Sequence, residues 1–465
     1  MTNKIKPIWE HGQMGAESPN RTFCMAPWTH TYISPQSERR MCCASREEHM
    51  MQRQYIDASN DKSTGKYKEV GTIDDYKPIS LDEHWNSPYM MDIRKKLMAG
   101  ETIPQCAVCN DSILSQSTYR QWFTGFLFKD KIEQAFEETD DDGRTSMVPI
   151  SFDYRVSNLC NFKCRTCGEP LSSSWEAEKR KHGLWNPANQ PFMVPENKAI
   201  INRFQKEVVE EEFWAAICSG VVEEIYWVGG EPLMYDIHWR AMDRLAQDDN
   251  LKKVHLRYNS NLSRIRFNNH YLYDWLPKAK DWTMCASIDG TGSIGEFVRT
   301  GLKWNEWDQN FREGVALPGG KDRMLMDLTL TGPGLFDLKT FFNYALELDV
   351  KIETKRMFAF HPDIVFSPMA LPRHILDRII KDNLDYIVPR ATHKQQTLIR
   401  ELENMLVTPT FQEQWPDQAE ESFFKGRNWQ DKIADIRPDQ PLRIENIYAA
   451  DAELYNWWMR RDVSK

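Results

Sequence analysis

The spacing of apolar and polar positions changes near residue 146. Beyond it, short apolar or alternating runs at 148–156, 222–228, 252–258, 281–288, 323–331 and 350–358 predict strands. Between them, Lys198–Ile217, Ile237–Gln247 and Leu335–Leu348 carry apolar residues at helical spacing. Alternating strand and helix predict parallel βα units, an α/β fold. The two-residue period also sorts side chains: Cys285, Ser287 and Asp289 share one face, Ala286 and Ile288 the other. The same rule gathers Asp327, Thr329 and Thr331 on one face, and Asp153 and Arg155 on another. Charges on an inward face need partners or a polar ligand.

Before residue 146 the text is less regular. Residues 1–20 are polar and without period, and predict a loose arm. Phe23–Trp28 is apolar, with alternation continuing through Tyr32 and Ile33. Arg46–Lys68 is polar and predicts an insertion or mobile loop. A helix is expected over Pro88–Ala99, stopped by Gly100, and helix-like text runs from Ser115 to Phe136. The acidic run Glu137–Gly143 is expected as a solvated linker. Three regions follow: 1–145, 146–365 and 366–465. The last begins with amphipathic segments at 373–383 and 393–406 and continues polar, with scattered Trp, to 465. It is expected as a helical extension, a cap or an oligomer contact. The segment Lys181–Pro195 is expected as an insertion over one face.

The chain has 465 residues, enough for two or three domains, and 41% hydrophobic with 27% charged residues is a globular composition. A net charge of −9 gives no reason to expect a nucleic-acid binder. No apolar run is long enough to span a bilayer, and Met1–Pro7 lacks the apolar core of a signal peptide. A cytoplasmic protein with ten mostly reduced cysteines is expected.

Those cysteines fall into groups. Cys160, Cys164 and Cys167 stand at C-x3-C-x2-C spacing just after the first strand. So short a loop brings three thiolates to one point and supplies no fourth. A [4Fe–4S] cluster held so keeps one iron open, whereas an electron carrier uses four Cys ligands. A structural zinc site or three core thiols are the alternatives. The second strand runs into Gly229-Gly230-Glu231-Pro232, where glycines let a backbone approach a ligand and a carboxylate can take an ammonium group. A plain tight turn is the alternative.

Together these stretches resemble the radical S-adenosylmethionine superfamily. The resemblance implies a partial (β/α)6 TIM-like barrel. It implies that the open iron chelates S-adenosylmethionine, which one electron cleaves to a 5′-deoxyadenosyl radical. In relatives the Gly-Gly-Glu-Pro turn holds the methionyl amine. The third strand end, with Asn259 and Asn261, is similar to a polar strand end near the cofactor. Ser287, Asp289 and Arg299 match a Ser-x-Asp-Gly element and its later Arg, of which Ser287 and Arg299 would bind the methionyl carboxylate. Thr166 stands where many relatives carry an aromatic residue against adenine, a contact then left to Phe162 or Met357. Cys285 is a thiol able to quench a radical in the lumen, or, like Cys218, a small buried residue.

Cys24, Cys42, Cys106 and Cys109 suit zinc or a second [4Fe–4S] cluster by spacing. Residues 23–110 resemble the SPASM module, or its shortened twitch form, which implies one auxiliary cluster. The module here precedes the barrel, Gln36-Ser37-Glu38 replaces its usual Gly, and Cys43 neighbours Cys42 as a rival ligand. The resemblance implies an enzyme abstracting a hydrogen atom, with a peptide or protein side chain as leading substrate and a flavodoxin- or ferredoxin-like electron donor. A dehydrogenase or epimerase acting on a sugar or alcohol is the enzymatic alternative. A non-catalytic zinc scaffold is the alternative of another class.

Overall fold

The computed structural model describes residues 4–10, 13–15, 17–45, 60–61, 66–67, 78–111, 118–185, 194–357 and 363–461. Most of Arg46–Lys68, and residues 186–193 of the expected insertion, lie outside them. Strands are β1 His30–Ile33, β2 Arg39–Arg40, β3 Ser151–Tyr154, β4 Glu224–Trp227, β5 His255–Ser260, β6 Asp281–Ser287, β7 Met324–Leu330 and β8 Lys351–Arg356. The strands expected beyond residue 146 are thus all present, with α-helices between them except from β5 to β6, which a small hairpin and short 3-10 turns connect. The fold is mixed α/β with mostly parallel pairing.

The chain divides into two compact units. The first holds residues 1–158, 186–256 and 278–281. In it β3 pairs in parallel with β4 and also with β1, and β1 pairs antiparallel with β2. The β1 partnership joins residues far apart in sequence, His30 with Ser151 through Ile33 with Tyr154. A buried polar chain crosses the same three strands: Ser151 Oγ donates to the Glu224 carboxylate, so His30 Nδ1, 2.6 Å away, donates to Ser151. Phe23, Trp28, Met90, Leu97, Phe123 and Phe136 form the core beside β1.

Helix α1, Pro88–Met98, starts at Ser87, whose side chain accepts from Met90 N–H, with Pro88 at its first position. Its Arg94 is fully buried and donates to the carbonyls of Pro27 (2.8 Å) and Trp85 (2.7 Å) and to Asn86 Oδ1 (3.0 Å). Burial pulls this guanidinium down to about 9, still charged at neutral pH.

Two expectations fail in this unit. The arm is not loose at its end: Asn20 is buried, donates to the Leu97 and Ile5 carbonyls at 2.7 and 2.8 Å, and accepts from Thr22 and Phe23 N–H. The acidic linker is a built turn. Its carboxylates face water, but Thr139 bridges Thr145 and Trp28 Nε1 donates to Thr139 Oγ1 at 2.8 Å. Gly143 at φ +90° lies so close to α1 that a Cβ there would stand 2.1 Å from the Met91 carbonyl oxygen.

The second unit holds residues 159–185, 257–277 and 282–465. There β6, β7 and β8 pair in parallel, Ser287 beside Asp327 and Thr329 beside Lys355. Along β6, Trp282, Met284 and Ala286 are buried, and Thr283, Cys285 and Ser287 half-buried, the expected division of faces. Among its helices are α2 Ser173–Lys181, α3 Gly292–Val298, α4 Leu338–Leu348, α5 Arg373–Ile387, α6 Gln396–Val407, α7 Pro416–Asp435 and α8 Ala452–Met459. The helical extension is present. Among the described residues no helix is long and apolar enough to cross a membrane.

Candidate functional site

The Cys160–Cys167 loop is fixed by hydrogen bonds before any side chain is considered. Lys163 N–H and Arg165 N–H donate at 2.7 Å to the carbonyls of Thr300 and Val298, just past α3 and at its end. On the other side, the start of α2 takes the loop's carbonyls. Ser172 Oγ donates to Phe162 O (2.6 Å), Ser174 Oγ to Cys160 O (2.7 Å) and Trp175 Nε1 to Cys164 O (2.7 Å). Ser172 Oγ also accepts from Trp175 N–H at 3.1 Å and so caps α2.

Cys160 and Cys164 are buried and Cys167 half-buried. Burial pushes the Cys164 thiol well up; Arg299 pulls it back, while Cys160 and Cys167 push it further, so the three sulfurs feel one another. Donors face the sulfurs. Phe162 N–H lies 3.5 Å and Asn261 Nδ2 3.8 Å from Cys160 Sγ, and Arg299 Nη1 4.0 Å from Cys164 Sγ. Among the described residues, no three His, Cys, Asp or Glu side chains are grouped as they stand to hold a metal ion. The donor set nonetheless fits an iron–sulfur cluster: soft sulfur ligands, no competing carboxylate within the loop, and N–H donors on the sulfurs.

Arg299 is held by Asp289, with Nε–Oδ2 of 2.9 Å and Nη2–Oδ1 of 3.1 Å. Burial alone would lower its pKa, and Asp289 more than offsets that, so the cation is fixed. Asp289, fully buried, also accepts from Thr329 N–H (3.0 Å) and Thr166 Oγ1 (3.4 Å). Thr166 thus has a polar task where an aromatic residue was looked for, and both Phe162 and Met357 are buried.

Asn259 and Ser287 turn elsewhere. Asn259 Nδ2 (3.1 Å) and Ser287 Oγ (3.5 Å) approach Asp327 Oδ2, and Lys355 Nζ grips both Asp327 oxygens at 2.7 and 2.9 Å. Cys285 is half-buried beside this group, its thiol pushed up to about 12 by burial and then by Asp327. Cys218, expected inside, is exposed: it rides the outer side of a helix, Glu210–Ser219, whose buried residues are Phe213 and Ile217.

The Gly-Gly-Glu-Pro turn belongs to the first unit. Gly230 N–H donates to Tyr235 Oη (2.8 Å), which donates to Ser157 O (2.6 Å). Glu231 is fully buried and accepts from Leu233 N–H at 3.1 Å, capping the short helix that Pro232 begins. Asp153 and Arg155 pair with each other at 2.9 and 3.0 Å, the guanidinium over Tyr32.

In the same unit Cys24, Cys42, Cys106 and Cys109, all buried, line one small cavity with Phe123 and Arg120; Cys43 is half-buried and not among its lining residues. Burial, then Cys106 and Cys109, pushes the Cys24 thiol up to about 12. Cys42 is raised by burial, then by Cys43 and the other three. Four soft donors lining one cavity suit zinc and a cluster alike by donor type.

No family model matches the sequence, and no curated protein matches it. Several solved structures are similar, among them two of one protein. One is Streptococcus suis SuiB, at 13% identity and a TM-score of 0.36, over 68% of this chain and 62% of that one. The other is Streptococcus suis SuiB bound to S-adenosylmethionine, at 12% identity and a TM-score of 0.31, over 67% of this chain and 64% of that one. The chain spans less than two thirds of either. Likeness of that size leaves the assignment to the residues themselves.

Sequence reasoning left Lys355, Trp175, Glu178 and Arg437 out of the site. Lys355 had a signal, since it sits on the next strand opposite Thr329 and so on the same face as Asp327. The other three are single residues in polar helical text.

Proposed function

We propose that this chain is a radical S-adenosylmethionine enzyme whose cluster is held by Cys160, Cys164 and Cys167. The observation that carries the reading is the buried three-thiol loop with Asn261 and Arg299 aimed at its sulfurs. A [4Fe–4S] cluster bound there supplies one-electron cleavage of S-adenosylmethionine and so the power to remove a hydrogen atom from an unreactive carbon.

The chain's own work is electrostatic and geometric. Buried thiols resist ionising, so ligand formation must expel protons, and Arg299 lowers that cost at Cys164. Asp289 keeps Arg299 in place. Asp327 and Lys355, with Asn259 and Ser287, give the neighbouring strands a polar face for the substrate. Burial of the loop excludes water from a reactive site. In this reading Gly229–Pro232 holds the methionyl amine, and Cys24, Cys42, Cys106 and Cys109 hold one auxiliary cluster, for which zinc is the alternative metal. The substrate proposed is a peptide or protein side chain, and the electron comes from a flavodoxin- or ferredoxin-like donor.

Anaerobic purification tests this. Brown protein containing iron and sulfide, forming 5′-deoxyadenosine from S-adenosylmethionine on reduction, is the expected result. Replacing Cys160, Cys164 and Cys167 by Ala should abolish that product and leave iron at the four-thiol site. Colourless protein with stoichiometric zinc and no deoxyadenosine overturns the reading in favour of a scaffold.

A further inference from the structure

Of the two cations inside the cysteine loop, Arg165 is taken up directly by the far end of the chain, and Lys163 shares a carboxylate with it. Lys163 Nζ pairs with Glu178 of α2 at 2.5 Å. The same carboxylate receives Arg437, just past α7, through Nε (3.1 and 3.2 Å) and Nη2 (2.6 Å). Arg437 is 1% exposed. Its remaining nitrogen, Nη1, donates at 2.9 Å to Thr300 Oγ1, and the Thr300 carbonyl accepts from Lys163 N–H. Its guanidinium also covers the ring of Trp175 at 4.4 Å, and Trp175 is the residue whose indole N–H holds the Cys164 carbonyl. One side chain therefore reaches the loop by three routes: Glu178 to the Lys163 ammonium, Thr300 to its amide, and Trp175 to the backbone of Cys164.

Arg165 is treated in the same way. Its guanidinium lies over Phe297 at 4.2 Å and donates to Gln430 Oε1 of α7 at 2.8 Å. Gln440 Oε1 lies 3.5 Å from Arg165 Nη2 and accepts from Thr300 Oγ1 at 3.0 Å, while Gln440 Nε2 donates to Glu296 O at 2.7 Å. Such partners would be needless for a cap resting on the outside of a finished domain. A buried Arg with a two-oxygen grip and a stacked ring sets position as well as charge.

We propose that residues 430–440 clamp the cysteine loop and shield its Cys160 and Cys164 sulfurs, with Arg437 as the positioning residue. The helical extension is then part of the loop's own support. That the loop holds a cluster rests on the reading given under Proposed function; that it is clamped does not.

The test uses the full chain, metal-free and reduced, with iodoacetamide labelling of each cysteine followed by peptide mass spectrometry. In Arg437→Gln, labelling of Cys160 and Cys164 should quicken several-fold while Cys24 and Cys106 keep their wild-type rates. Unchanged rates at Cys160 and Cys164 overturn the proposal. Should Arg437→Gln quicken all four by unfolding the chain, Gln440→Ala, at a half-buried position, decides by the same criterion. After reconstitution, Arg437→Gln should retain iron at the loop about 10-fold less tightly, as loss of an outer partner of a metal ligand does. Arg437→Lys should recover only part, since one ammonium has no second nitrogen to reach Thr300 while it holds Glu178 and no planar face to lay on Trp175. If the wild-type chain takes up no iron, the cluster reading fails, and the labelling rates still decide the clamp.

Discussion

Gly229 sits at φ +134° with Arg155 and Tyr235 around it, and a Cβ there would stand 2.7 Å from Tyr235 Oη. Two constraints meet in one residue: a backbone conformation that side chains avoid, and a hydroxyl that must stay put because it bridges Gly230 N–H and Ser157 O. Gly229→Ala should therefore cost about 2 kcal/mol of stability, read from urea unfolding, and should loosen Ser157 just before the cysteine loop. The sequence showed that these glycines matter, since a strand ending in Gly-Gly-Glu-Pro is a distinctive stretch. It did not show that Glu231 also caps its own turn. A carboxylate's partners depend on which amides the turn leaves over, and that is a property of the folded backbone.

At the scale of elements, periodicity was the reliable guide. The faces of β6 could be read because each strand residue answers only to its parity. The turn at Glu137–Gly143 was misread because charge is a weak reporter of backbone order. Its carboxylates are solvated as expected, yet Thr139 ties it to Trp28 and Gly143 lies against α1.

Helix α4 carries a similar hidden cost. Asp337 stands at its start, 8% exposed, accepting from the amide and hydroxyl of Thr291. Burial raises its carboxyl to about 6 despite those donors. With a folded pKa above the unfolded one, its stabilising contribution is complete below about pH 4 and is lost as pH rises through 6. Asp337→Asn should remove that slope. Its stability relative to wild type should improve by on the order of 3 kcal/mol between pH 4 and pH 7.5, measured by denaturant unfolding at each pH. A constant difference across that range would mean that Asp337 stays ionised in the folded chain.

For the molecule as a whole, legibility followed sequence distance. The βα alternation could be read because its signal is local. The meeting of His30–Ile33 with Ser151–Tyr154, and of Arg437 with Glu178, could not. Parallel pairing between remote segments leaves no turn chemistry to announce it, and a lone Arg in polar text looks like any solvated cation.

The strand His30–Ile33 closes one side of Ser151–Tyr154, and His30 feeds the buried hydroxyl–carboxylate chain behind it. Shortened chains beginning at residue 146 should accordingly emerge sticky: a bare strand margin would recruit other copies, and Glu224 would be left with a hydroxyl that has lost its own donor. Light scattering of such a truncation should report aggregates at concentrations where the intact chain stays dispersed. Evolution could not then have acquired or shed the amino-terminal cysteine region as a detachable accessory without rebuilding the strand it covers.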